Sequence, residues 1–217
     1  MKSSLFKSSN GEPGTVVHLP GKGLSIGGLC ADTISFVGSA FEPVDRAPNQ
    51  VREILADWSA VCRRTLSKSD DPIVQQTLSR IMCASIGFGG TPYDAFHGGW
   101  RRLREGDLPS AAEWQHFTDG NMWTLPEVYR GTMETISSGR CLFATEGGRL
   151  GLCYKTVQPG DQVWAVRGSN LPFVLRYFNR GDELCNSYRF MGDCTLDGMM
   201  DGETCQTNKQ WRLLTIE

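Results

Sequence analysis

Between Tyr93 and Tyr129 the chain gathers side chains that join a large apolar body to a hydrogen-bonding group: Tyr93, His97, Trp100, Trp114, His116, Trp123 and Tyr129. The purely apolar Phe96 and Phe117 are interleaved with them. Such groups suit two tasks. Packed inward they fill a core, because aromatic rings bury much area while their polar ends find partners. Around a pocket they enclose an apolar molecule and place a few donors against it, the usual composition of a small-molecule site. In the pocket reading Tyr93, Phe96, His97, Trp100, Phe117, Trp123 and Tyr129 bind substrate. Trp114, His116 and the more distant Arg176 are then the catalytic donors, stabilising charge that develops on an activating carbonyl.

Other chemistries find less to work with. Asp201 and Glu203 could divide acid and base roles if burial separated their pKa values, but a solvated turn accounts for them as well. No serine stands in a nucleophile elbow and no glycine loop has the spacing of a phosphate cradle. The eight cysteines are spread without a CxxC pair, and there are three histidines, so no metal site is expected and the thiols read as small, reduced hydrophobes. Twenty-two Lys and Arg against 24 Asp and Glu give a formal charge of -2, which argues against a nucleic-acid or polybasic membrane partner. The sequence contains no apolar run of membrane-span length and no signal-peptide pattern at Met1 to Asn10, so a soluble cytoplasmic protein is expected. Homo-oligomerisation stays open.

The elements that must position these residues follow from periodicity. Residues 1–14, rich in Ser, Lys and Gly, read as a flexible leader. Residues 15–47 read as a β entry, with strands at Thr15–Pro20 and Leu29–Phe41 around turns at Pro20–Gly23 and Gly27–Gly28. Apolar residues at three- and four-residue steps from Val51 to Cys62 predict a helix over 49–66. Asp71 as cap and Pro72 as first residue predict a second, running until Gly87. Thr91–Pro92 could start a third through Trp100 and Leu103, weakened by Gly98 and Gly99. Ser110 and Glu113 have capping-box spacing. Pro126 starts a helix that Gly139 ends. After Gly139 the period becomes two: a hairpin turning at Gly147–Gly148, then strands at 162–167, 172–178 and 184–195. The expected fold is α+β, a central helical segment (48–139) packed on a small antiparallel β-barrel or curled sheet (140–205), within one domain over 15–217.

The second half carries a family likeness. Gly139 to Leu152 (GRCLFATEGGRLGL), Pro159-Gly-Asp161 with Val163 and Gly168, Pro172 to Arg176 (PFVLR), Gly192 to Cys194 and Gly198 to Glu203 (GMMDGE) resemble the β-rich C-terminal part of fungal heterokaryon-incompatibility (HET) proteins. Thr195 stands where that family usually has an aromatic residue. A weaker likeness extends back through Asp32-Thr-Ile34 and the helix containing Trp58. The resemblance implies a fungal origin and a fold, without room before Thr15 for the HET domain that drives cell death. A stand-alone chain of this kind is also similar to a norbornene-forming Diels-Alderase of the sordarin type, which implies a cofactor-free cyclase in secondary metabolism that folds a small, flexible, apolar, terpenoid-like substrate until its reacting ends meet and lost entropy becomes rate. The alternative is a non-catalytic HET-related interaction or regulatory module, which an exposed aromatic stripe would favour. Fold alone does not choose between them.

Overall fold

The β-branched and aromatic run from Gly23 to Phe41 forms a single long strand. The structure is a computed structural model that describes residues 6–11, 13–19, 23–42, 48–67, 70–88, 99–178, 187–206 and 210–217. In it β1 (Val17–Leu19) runs back antiparallel onto β2 (Gly23–Phe41), with Leu19 opposite Gly23. The turn expected at Gly27–Gly28 is absent, and both residues lie inside β2. They are glycine because neighbours crowd the strand: a Cβ on Gly28 would stand 2.5 Å from Leu214 Cδ1, and one on Gly27 would stand 3.0 Å from Arg167 Cδ.

The further strands are β3 (Ile86–Phe88), β4 (Trp100–Arg102), β5 (Arg140–Thr145), β6 (Leu150–Tyr154), β7 (Gln162–Val166), β8 (Phe173–Phe178), β9 (Ser187–Asp193), β10 (Thr195–Leu196) and β11 (Arg212–Ile216). The chain divides into two compact units, one of Met1–Val37 with Phe143–Glu217 and one of Gly38–Leu142.

The first unit holds a closed five-stranded barrel. β2 pairs with β11, then β9, β8 and β7 follow, and β7 pairs back onto β2. All these pairings are antiparallel except β11 with β9, which is parallel. Closing the ring satisfies the backbone edges that an open sheet would expose. Two of the staves, β2 and β11, come from outside residues 140–205. Ile26, Trp164, Val166, Leu175, Tyr188 and Leu214 form one buried cluster in this unit, with Trp164 and Tyr188 in an edge contact at 5.3 Å between centroids.

The quoted motifs build this scaffold. Gln158 to Asp161 is a type II turn, with Pro159 and Gly160 at its centre, Gly160 at φ +92° and the Asp161 N–H donating to the Gln158 carbonyl at 3.1 Å. The Asp161 carboxylate, 1% exposed, accepts from Arg176 Nε at 2.7 Å and Nη2 at 2.9 Å. The β5–β6 hairpin turns through Glu146, Gly147 and Gly148, but only Gly148 has positive φ (+77°), so this is a three-residue loop and not the two-glycine primed turn expected. Within the segment read as a leader, Ser8 and Ser9 are buried, and the Ser9 hydroxyl donates to the Ser169 carbonyl at 2.9 Å.

The second unit holds four α-helices among the described residues: α1 (Pro48–Leu66), α2 (Asp71–Met82), α3 (Ala111–Thr118) and α4 (Glu127–Ser137). Val51, Ile54, Leu55, Trp58, Val61 and Cys62 are all buried, as the period of α1 requires. α2 stops at Met82, five residues before Gly87, because Ala84 and Ser85 adopt positive φ (49° and 57°) and redirect the chain into β3. Asp70, rather than Asp71, is its cap residue. Trp100 belongs to β4, opposite Phe88, and not to the expected third helix, whose residues 91–98 lie outside the described ones. The Gly98–Gly99 pair that weakened that helix on paper immediately precedes β4. Gly139 ends the last helical segment at φ +71°, its N–H donating to the Phe41 carbonyl at 2.7 Å. No described helix is long and apolar enough to cross a membrane.

Candidate functional site

α1 has two faces. One is the core stripe; beside it Arg52, Ala56, Ser59 and Arg63 recur at four-, three- and four-residue steps and form a second, exposed or half-buried stripe. This second stripe and Leu55 form one wall of a cleft of about 560 Å³ in the helical unit. The start of α2 supplies Asp71, Pro72, Val74 and Gln75, and α3 with its cap supplies Ala111, Trp114, Gln115, Thr118 and Asp119. Leu55 (1% exposed), Val74 and Trp114 are buried and make an apolar floor. The rim is polar. A volume in this range with an apolar floor and a few convergent polar groups is typical of small-molecule sites.

Local sequence explains how Trp114 comes to stand there. Ser110 caps α3, its hydroxyl accepting from the Glu113 N–H at 3.3 Å while the Glu113 carboxylate accepts from the Ser110 N–H at 2.7 Å. The Ser110 hydroxyl, which donates to the Glu113 carboxylate at 2.7 Å, and then the Ser110 N–H hold that carboxyl below its usual pKa range. The cap fixes where the helix begins, and hence which way Trp114 points. Trp114 meets Phe117 edge-on at 5.4 Å, Phe117 meets Phe41 at 6.5 Å, and Phe41 meets Trp58 at 5.7 Å. Trp58 is anchored by its Nε1–H on the Ser39 carbonyl at 3.0 Å. The indole is thus braced by a row of rings reaching into the core.

The rim groups differ in how far they are satisfied. Arg63 Nη2 sits 2.6 Å from Asp71 Oδ1, an exposed ion pair. Arg52 Nη2 donates to the backbone carbonyl of Asp119 at 2.9 Å. The Asp119 carboxylate accepts instead from Gln115 Nε2, at 3.3 Å to each oxygen.

Of the described residues singled out by type, only Trp114 lines this cleft. His116, two positions on, is rotated by about 200° around α3 and is exposed. Phe117 is fully buried beneath Trp114. Tyr129 is fully buried in α4, its hydroxyl donating to the Ser79 carbonyl at 3.0 Å, and burial pushes that hydroxyl well above the usual tyrosine range. Trp123 is 74% exposed, with the Arg130 guanidinium 4.6 Å from its ring centroid. Trp100 is half-buried in β4. Tyr93, Phe96 and His97 lie outside the described residues. Arg176 is in the barrel unit, bidentate on Asp161 and donating from Nη2 to the Thr156 carbonyl at 3.0 Å. Arg52, Leu55, Val74 and Gln115 were not singled out from the sequence. For Arg52 the signal was the second stripe of α1, which reads as ordinary helix surface until α2 and α3 are packed beside it.

Among the described residues no group of three or more His, Cys, Asp or Glu is placed to hold a metal ion. Burial pushes the Cys62 thiol up to about 12.

A profile of the Het-6 β-barrel domain matches residues 93–214, more than half of the chain. Over 70 residues the chain is 40% identical to heterokaryon incompatibility protein 6, OR allele, of Neurospora crassa. That stretch is 32% of this chain and 10% of the relative, so the chain spans about a tenth of that protein's length. No solved structure matches.

Proposed function

We propose, from the premise that this chain belongs to the Het-6 β-barrel domain family, that its helical unit binds a small, largely apolar molecule in the α1–α2–α3 cleft and promotes its cofactor-free cyclisation. The observation that carries this reading is the cleft itself, with Leu55, Val74 and Trp114 as an apolar floor beneath a polar rim. Two of its three walls, α1 and α2, lie before residue 93 and so outside the span the family profile matches. The third wall, α3 with Trp114, lies inside that span. Holding both ends of a flexible polyene against Trp114 would convert a rare conformation into the resident one. The indole N–H, which has no hydrogen-bond partner among the described residues, is a donor for a substrate carbonyl. A pericyclic ring closure of the Diels-Alder type needs nothing further from the protein.

The test is to offer the purified chain linear polyenes carrying a diene, an alkene and an activating carbonyl. Binding is followed by tryptophan fluorescence and product by chromatography and NMR, since cyclisation does not change mass. The reading expects binding that Trp114→Phe weakens, and a cyclised isomer formed faster than in buffer. Equal fluorescence titrations for both proteins would remove Trp114 from the site, and absence of binding would sink the proposal.

The interaction-module reading has one observation in its favour. The barrel unit exposes Tyr177 (49%), Phe190 (47%) and Leu213 (75%), and such groups mark a contact surface where they form one contiguous patch. Light scattering across a concentration series would reveal self-association, the simplest form of that reading, and Leu213→Asp would then abolish it.

A further inference from the structure

We infer that the molecule taken by the α1–α2–α3 cleft is an amphipathic acid, with an apolar body on the floor and a single carboxylate held by Arg52. This rests on the cleft-binding reading above. Arg52 and Arg63 stand at opposite ends of the second stripe of α1, and the chain treats them differently. Arg63 is paired with the carboxylate of Asp71 at 2.6 Å. Arg52 has no carboxylate partner among the described residues; its one hydrogen bond there runs from Nη2 to a neutral backbone carbonyl, that of Asp119, at 2.9 Å. That bond tethers one corner of the guanidinium and leaves its other N–H groups to be satisfied by water or ligand.

A tethered guanidinium is a planar fork that matches a carboxylate with two parallel hydrogen bonds. The other charged groups at the cleft bear on the charge of the ligand. Asp71 is neutralised by Arg63, and the Asp119 carboxylate is engaged by Gln115 Nε2 but keeps its negative charge. Arg63 with Asp71 and Arg52 with Asp119 leave the lining without net charge, so what favours a carboxylate is its local fit to the Arg52 fork, and a phosphate or a dicarboxylate would add more negative charge beside Asp119 than a single carboxylate does. Beneath the rim Trp114, 8% exposed, offers the most apolar contact, with Leu55 and Val74 nearly covered, and this favours an apolar body for the rest of the ligand.

Decanoic acid and decan-1-ol, titrated at neutral pH below their aggregation limits, separate this inference from the reading it rests on. Wild-type protein is expected to bind the acid about tenfold more tightly than the alcohol, the scale of a charge-assisted hydrogen bond. Arg52→Met, which keeps the apolar stem, should abolish that preference, acid and alcohol then binding alike. Arg52→Lys should retain only part of it, because an ammonium cannot form the planar fork. Thermal melting of each variant checks that the fold is kept. Equal binding of acid and alcohol by the wild type overturns the inference while the apolar cleft stands. A preference for the acid that survives Arg52→Met overturns it too. If neither probe binds, both the inference and the cleft reading fall.

Discussion

The barrel unit and the helical unit use their distinctive residues in opposite ways. In the barrel, the residues that carry the family likeness are consumed by the scaffold: Pro159, Gly160 and Asp161 make a turn, and Arg176 from the PFVLR segment reaches back to clamp that turn's carboxylate. Gly151 lets a neighbouring strand approach so closely that a Cβ there would lie 2.0 Å from the Thr195 carbonyl oxygen. In the helices, by contrast, Trp114 and Arg52 keep donor groups that the described scaffold does not exhaust, and they face the same cleft. Recognisable motif and chemical opportunity therefore lie in different parts of the chain. A family pattern can identify a fold through residues whose work is structural, and it does not by that fix a function.

The largest expected effect comes from breaking the Asp161–Arg176 clamp. Arg176→Met leaves the Asp161 carboxylate, 1% exposed, without its guanidinium partner, and removing one member of such a pair costs about 3 kcal/mol or more. The midpoint of urea unfolding should fall accordingly, with ligand binding at the helical cleft unchanged under native conditions. An unchanged midpoint would return Arg176 to the list of available donors and erase the contrast between the units.

How far the sequence could be read also follows this division. The α+β class, the cap at Ser110, the end of a helix at Gly139 and the β5–β6 hairpin were legible because each depends on local geometry, a hydroxyl three residues from a carboxylate or glycines between alternating runs. Tertiary crowding was not. Gly27 and Gly28 look like a turn until Leu214 and Arg167 are seen occupying the space of their missing side chains. The aromatic cluster from Tyr93 to Tyr129 suggested a pocket, yet Phe117 and Tyr129 are core and Trp123 is surface, because residue type records apolar area without recording direction. Arg52 was invisible for the opposite reason: an arginine on a helix is ordinarily a solvated charge. Only the placement of Asp119 and Trp114 beside it gives it a role.

A smaller effect tests whether the cleft is as pre-built as the barrel. Ser110→Ala removes the hydroxyl that accepts from the Glu113 N–H and should cost about 1 kcal/mol of stability. Because the cap sets the start of α3, ligand affinity should fall with it, and Trp114 fluorescence should shift toward that of a more solvated indole. Lost stability with unchanged affinity would mean that the row of rings from Trp58 to Trp114 positions the indole without help from the cap.

The smallest expected effect is on the acid side of the stability profile, and it sharpens the comparison again. Among the described residues the carboxyls held below their usual range are Asp107 and Glu113, both in the helical unit. The Arg101 guanidinium lowers Asp107 through paired hydrogen bonds, and Ser110 lowers Glu113. A carboxyl with a depressed folded pKa stabilises the fold fully above its unfolded value, near 4, and loses that contribution as pH falls through the folded value. Both sites are partly or largely exposed, so each should contribute under about 1 kcal/mol. The melting temperature of the wild type should therefore decline more steeply from about pH 5 to pH 3 than that of Asp107→Asn, which cannot titrate at that position. Far-ultraviolet circular dichroism at the helical minimum should record the loss first. If the two proteins decline in parallel, the Arg101–Asp107 pair is held no more tightly in the folded chain than in the unfolded one, and acid sensitivity does not distinguish the helices from the barrel.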